Sequence, residues 1–317
     1  MDKSSPHFPV MLPEVMAYLE PKAGEVYVDC TLGAGGYTRA ILDVEPACKV
    51  LGFDRDETAH LMASEWSEKY GDRLILVKNS FSNLREELAI RGIAKVDAVI
   101  LDLGVSSMQF DQGDRGFSFR FDAPLDMRMD RSGGKTAADL VNHMDEKDLA
   151  DIIYLYGEER HSRRIAAAIV RKRAEQRIET TFQLAEIVRA VLPFSKKDKS
   201  DPSTRTFQAL RIAVNEELQE LETVLEASED VLSENGRLIV VTFHSLEDRI
   251  VKNFLNERAK PAPSPSRHLP NMAGSSSQHR LSFSLVTKKP VLPSEHELQI
   301  NPRSRSAKMR VGIRRAV

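Results

Sequence analysis

A chain of 317 residues with a formal charge of −2, 41% hydrophobic and 29% charged residues, has the size and balance of one large globular domain carrying an insertion. That charge excludes a polycation, so any hold on nucleic acid must come from local patches. Cys30 and Cys48 form no CxxC pair, which argues against a disulfide framework or a zinc site, and no apolar run approaches a membrane span. The opening MDKSSPHFPVML lacks the basic-then-apolar layout of a signal peptide, so a reducing cytoplasm is expected.

In chain order, Val10, Leu12, Val15, Met16 and Leu19 recur at near-helical spacing and predict a short helix. An apolar strand over 26–29 ends at Asp29. Gly33, Gly35 and Gly36 then make a turn, and a helix starts near Tyr37. A strand over 50–54, a helix over 57–66, a strand over 74–77 and a helix over 83–89 follow. The most apolar strand, 96–103, closes the series. This alternation predicts an α/β protein whose parallel sheet has helices on both faces. Ligands of such sheets lie beyond the carboxyl ends of the strands, where Asp29, Asp54, Phe81 and Asp102 fall.

After Asp102 the period is lost. Residues 104–131 are rich in Gly, Asp, Arg and Phe and predict a long functional loop. Helical patterns cover 145–156, 161–176 and 181–192. The last opens on a Thr180/Gln183 capping box and stops at Pro193. They predict a small helical insertion, joined back by SKKDKSDPS. A long helix follows, with Phe207, Leu210, Val214, Leu218, Leu221 and Leu225 on one face. A strand over 237–243, a helix over 250–255, a Pro- and Ser-rich connector at about 260–280 and an antiparallel pair over 282–287 and 307–313 end the chain. The expected division is 1–105 for the first part of the core, 106–203 for the loop and helical insertion, and 204–317 for the second part with a basic end.

The glycine turn lets the backbone approach a ligand, and the N–H groups at the helix start face it. It is not the dinucleotide pattern, because Thr38 stands where GxGxxG needs its third glycine. Asp29 suits an amine-bearing or cationic ligand better than a pyrophosphate, and Asp54 is placed for ribose hydroxyls. Asp102 either caps the next turn or accepts a hydrogen bond from an amino group on cofactor or substrate. In RGFSFRF, Arg115, Phe117 and Phe119 either hold phosphates and stack on unpaired bases or anchor the loop on the core. Asp126, Arg128, Asp130 and Arg131 pair charges that could stiffen it. Seven cations between Arg160 and Arg177, with Glu175 as the single acid, form a solvated or a functional face. From Arg280 onward nine Lys or Arg face only Glu295 and Glu297, a candidate phosphate contact. His244-Ser245, past the strand RLIVVTF, is a further candidate pair, although a histidine at a strand end is more often structural.

The motifs HFPVMLPEV, DCTLGAGGYTR, FDRD, LDLGVSS, RGFSF, PLDMRMD, YGEER, STRTFQALRIAVNEEL, NGRLIVVTFHSLEDRIVK and NPRSRSAKMR run almost end to end. Together they closely resemble the bacterial 16S ribosomal RNA (cytosine-N4)-methyltransferases. The resemblance implies a Rossmann-like class I methyltransferase sheet with a helical insertion domain, S-adenosylmethionine as cofactor and no metal. It implies methylation of a cytidine N4 amine in 16S rRNA, in the decoding region of the small ribosomal subunit, and it is compatible with a homodimer. Carried over by position, Gly35, Gly36 and Tyr37 face the methionine end of the cofactor. Asp54 takes the ribose, Phe81 packs on the adenine, and Asp102 and Gln109 complete the pocket. Asp102, or a backbone carbonyl in 103–106, is the expected acceptor for the amine. Arg115, Phe117, Phe119, Arg128 and His244 are the expected substrate contacts. Tyr37 stands where relatives carry histidine and Met108 where they carry proline. A nucleotide-dependent oxidoreductase and a non-catalytic ribosome-binding module are the alternatives.

Overall fold

The computed structural model describes residues 9–105, 112–192, 201–261 and 281–316. In chain order the elements are α1 (Leu12–Leu19), β1 (Val26–Asp29), α2 (Gly36–Val44), β2 (Lys49–Asp54), α3 (Glu57–Ser67), β3 (Leu74–Lys78), α4 (Leu84–Ile90) and β4 (Val96–Asp102). Five helices follow: α5 (Ala137–His143), α6 (Glu146–Gly157), α7 (Ser162–Glu175), α8 (Thr181–Val191) and α9 (Ser203–Asn215). The chain closes with α10 (Glu217–Val231), β5 (Leu232–Thr242), α11 (Ser245–Ala259), β6 (Phe283–Leu285), α12 (Glu295–Ile300) and β7 (Lys308–Arg314). Two compact units result, Met1–Gly104 with Glu220–Val317, and Val105–Gln219.

The first unit is built on a seven-stranded sheet in the order β3-β2-β1-β4-β5-β7-β6. The pairs from β3 to β5 are parallel, and β7 runs antiparallel between β5 and β6. Strand alternation serves two cores. Val28, Leu51, Val99, Leu101 and Val240 face one, shared with Leu84 and Leu88 of α4, Leu221 and Leu225 of α10, and Val251 of α11. Tyr27, Val50, Ala98, Ile100 and Ile239 face the other, shared with Val15 and Leu19 of α1 and Ile41 and Leu42 of α2. Each fully buried aliphatic side chain contributes roughly 1.5–3 kcal/mol, so both sheet faces are fixed and the register with them. The strand order reverses at β1, which lies between β2 and β4. That switch point opens a crevice at the carboxyl strand ends.

The second unit is helical. Leu140, Leu149, Ile153, Ile165, Ile169, Leu184, Val188, Phe207 and Leu210 form its core. The expected capping box at Thr180 and Gln183 is present, and Thr136 and Asp139 form another ahead of α5. The single long helix expected over 207–225 is two helices. Glu216 adopts the left-handed region at φ 52 and separates α9 from α10. The insertion therefore runs to Gln219 and includes α9, rather than ending at 203. The 193–200 link and nearly all of the 260–280 connector lie outside the described residues. No described helix is long and apolar enough to cross a membrane.

Candidate cofactor site at the carboxyl edge of the sheet

The turn after β1 is laid across the end of β2. Leu32 N–H donates to the Phe53 carbonyl at 2.8 Å, and Gly33 N–H donates to Asp54 Oδ2 at 2.9 Å. Gly35, at φ 80, is the N-cap of α2 and has no side chain to cap it. The Thr38 N–H is turned to the Asp29 carboxylate, which leaves those of Gly36 and Tyr37 to face an anionic group such as a carboxylate. Two side chains explain why glycine stands here. A Cβ on Gly35 would lie 2.1 Å from Trp66 Cζ2, and one on Gly36 would lie 2.7 Å from Pro9 Cβ. Trp66 was not singled out by the sequence, and no motif marks it. It packs edge-on to Tyr70 at 6.0 Å, with the Arg39 guanidinium 5.7 Å from its ring.

Asp29, Asp54 and Asp102 end β1, β2 and β4. Asp29 is fully buried, accepting from the Thr38 hydroxyl at 2.7 Å and from Thr31 N–H at 3.1 Å. Burial pushes its carboxyl up to about 6, against the pull of those two donors and of the Thr38 N–H. Asp54 accepts from Gly33 on one oxygen and from Asp56 N–H, at 2.8 Å, on the other. Each of those oxygens keeps a second lone pair, enough for a pair of ribose hydroxyls. Burial raises Asp54 too, and raises Asp102 well above the usual carboxylate range, with the Asp29 charge adding to the effect on Asp102. Asp102 is anchored by its backbone, whose N–H donates to Thr31 Oγ1 at 2.8 Å. Its Oδ1 is buried without a hydrogen-bond partner. None of the three carboxylates forms an ion pair among the described residues. Desolvated acids that repel one another suit a ligand bearing positive charge.

One consequence is a pH dependence. Between pH 4 and pH 6 the unfolded chain has ionised Asp29 while the folded chain still holds the proton. Folding stability therefore falls as pH rises through that window, by about 3 kcal/mol in all at 1.36 kcal/mol per pKa unit. Urea unfolding of the ligand-free protein should show most of this loss from about pH 4 to 7, and Asp29→Asn should show a flatter profile. Parallel profiles would contradict the assignment.

The turn also has a strap that sequence reading did not find. Pro9 packs on Gly36, and the Tyr37 hydroxyl donates to the Val10 carbonyl and lies against Asp102. Both oxygens of the buried Glu297 carboxylate accept from Met11 N–H, at 2.9 and 3.0 Å. The Tyr37 side chain is thus a buried pin for residues 9–11. Glu297→Ala would strand a buried N–H at a cost of roughly 1–3 kcal/mol. Thermal melts should fall by roughly 2–8 °C, and the KM for cofactor should rise, with Glu297→Gln, which keeps one acceptor, recovering most of both. An unchanged melt would show that the strap stands without the latch.

The remaining expected residues fall as follows. Phe81 follows β3, half-buried against the α4-side core. Gln109 and Met108 lie outside the described residues. His244 caps α11. Its Nδ1 accepts from Glu247 N–H at 3.4 Å, and Glu247 reaches back to His244 N–H at 3.2 Å. In the second unit Arg115 is 3% exposed and donates through Nη2 to the Arg128 and Met129 carbonyls, at 3.0 and 2.9 Å. Phe117 is buried in the helical core, and Phe119 packs edge-on to Phe207 at 4.9 Å. Arg128 grips Asp126 with two nitrogens, at 2.7 and 3.0 Å. Asn215 bonds Met127 and Met129 backbone groups, both at 2.8 Å. These side chains give the loop its shape; among its described phenylalanines, Phe117, Phe119 and Phe121, the exposed one is Phe121.

A parallel sheet in this order, with a glycine turn after β1 and acids closing β1, β2 and β4, is the architecture of a class I S-adenosylmethionine-dependent methyltransferase. The chain belongs to the MraW methylase family, whose model matches residues 4–315. It is similar to the ribosomal RNA small subunit methyltransferase H of Bradyrhizobium diazoefficiens, at 55% identity over 98% of this chain and 92% of that one. The protein of the same description from Methylobacterium nodulans is 54% identical over 99% of this chain and 92% of its own. The resemblance read from the motifs is therefore confirmed at family level.

Proposed function

We propose that this methyltransferase modifies the N4 amine of a cytidine in 16S rRNA, in the decoding region of the cytoplasmic small ribosomal subunit. The relatives' description as small-subunit rRNA methyltransferases supports the substrate class. The observation that carries the chemistry is the unpartnered, buried Asp102 Oδ1 beside the glycine turn.

S-adenosylmethionine supplies an electrophilic methyl group on a sulfonium. Asp54 would hold its ribose hydroxyls, the N–H groups of Gly36 and Tyr37 its carboxylate, and Asp29 would balance its positive charge. The cytosine amine is a poor nucleophile, because its lone pair is delocalised into the ring. Asp102 Oδ1 accepts an N–H hydrogen bond from that amine, orienting the lone pair and favouring a more tetrahedral nitrogen. Fixed positioning and a preorganised acceptor provide the acceleration. Arg115, Phe117, Phe119 and Arg128 set the shape of a loop that presents Phe121 to an unpaired base, while His244 holds the start of α11. Nucleoside mass spectrometry of 16S rRNA from cells with and without the gene tests the reading. The expected result is N4-methylated cytidine that disappears on deletion; its persistence would refute the reading.

A further inference from the structure

We propose that the solvent face of α7, through Arg163, Arg164 and Arg171 with Arg160 just ahead of the helix, is a phosphate-binding surface for the RNA substrate. The choice of RNA as partner rests on the rRNA reading above.

The structure sorts the seven cations of this stretch. Arg173 donates to the Val141 and Met144 carbonyls at the end of α5, at 2.9 and 2.7 Å. Arg177 pairs with Asp139 and Glu179, and Lys172 pairs with Glu175. Those three serve the fold. Arg160, Arg163 and Arg171 are exposed and form no ion pair or hydrogen bond among the described residues. Arg164 is exposed and gives one 3.3 Å bond to the Val191 carbonyl. Ser162, Ile165, Ala166 and Ile169 bury the opposite side of α7. Arg164 and Arg171 are seven residues apart, hence on one line about 10.5 Å long, with Arg163 beside its start.

A second observation is independent of exposure. Arg163 and Arg164 occupy the first turn of α7, which holds no acid. The helix dipole disfavours cations there. Both preceding helices obey the rule, with Asp139 in α5 and Glu146 and Asp148 in α6. Just ahead of α7 the Glu159 carboxylate accepts from the His161 N–H at 2.8 Å, yet it pairs with His161 and Arg205 and, among the described residues, with neither Arg163 nor Arg164. Cations kept where the local electrostatics disfavours them fit a surface kept for function. Arginine is the side chain that meets phosphate with two parallel N–H bonds. In a chain of net charge −2, this row of exposed guanidiniums is complementary to a strand of successive phosphates.

The test is the full-length R163E/R171E variant, with binding to small-subunit rRNA measured over a salt series. The expected result is affinity weakened ~10-fold or more near 0.1 M salt and a log–log salt slope smaller by roughly 1.4 to 1.8. The melting temperature should be equal or higher, because the change places an acid in the first turn, and cofactor affinity should be unchanged. R163K/R171K should keep the slope. Wild-type affinity and slope in R163E/R171E would overturn the proposal, as would a lowered melting temperature that alone accounts for the lost binding. Methyl transfer measured alongside separates the two claims. RNA held through α7 without methyl transfer would sink the reaction and leave the surface standing.

Discussion

Asp102→Ala is expected to lower kcat by roughly 10²–10³-fold at saturating cofactor, the loss typical when one preorganised hydrogen-bonding group is removed from a transition state. The side chain is held in place for accepting that bond. Its backbone N–H is tied to Thr31, and Oδ1 is buried with nothing to accept from. The same substitution should not destabilise the protein. A carboxyl whose folded pKa is raised contributes stability below its unfolded pKa and loses that contribution as pH rises through the folded one. At pH 8 the variant should therefore melt at or above the wild-type temperature. Lost turnover with undiminished stability is the signature of a group placed for chemistry. Full turnover in Asp102→Ala would move the acceptor role to a backbone carbonyl in 103–106.

Gly35→Ala should abolish useful cofactor binding. An alanine at φ 80 carries roughly 1–3 kcal/mol of backbone strain. Its Cβ also meets the Trp66 ring at 2.1 Å, and that ring cannot slide freely between Tyr70 and Arg39. Overpacking adds roughly 1–3 kcal/mol. The turn is the softer partner, so the distortion falls on the groups that hold the ligand, and affinity should drop roughly 30-fold or more, the equivalent of about 2 kcal/mol. Trimming the obstacle should restore part of the loss, so a double-mutant cycle with Trp66→Ala should show coupling. Calorimetric titration with S-adenosylhomocysteine measures it. Strictly additive losses would mean that Trp66 does not constrain the turn.

Much of this fold was legible because its strands are short, apolar and closed by aspartates. Asp29, Asp54 and Asp102 stand at the strand ends that the sequence pattern marks. The break at Glu216 was not legible. The apolar stripe from Phe207 to Leu225 stays in helical phase across it, and no Gly or Pro announces the left-handed residue. With that break went the end of the helical unit, which displaced α9 from one core to the other. Composition also left the reading of the loop divided between two roles. Alternating Arg and Phe looks the same whether it meets bases or, like Arg115 and Phe117, fills an interior. The latch between Glu297 and Met11 joins residues 286 positions apart, a distance at which local patterning carries no signal.

The most direct test is a crystal structure of the protein with S-adenosylhomocysteine. The ribose hydroxyls should sit on Asp54, the amino acid end on the glycine turn between residues 33 and 37, and the sulfur should face Asp102. A ligand bound away from the carboxyl edge of β1, β2 and β4, or one whose sulfur points away from Asp102, would contradict the account.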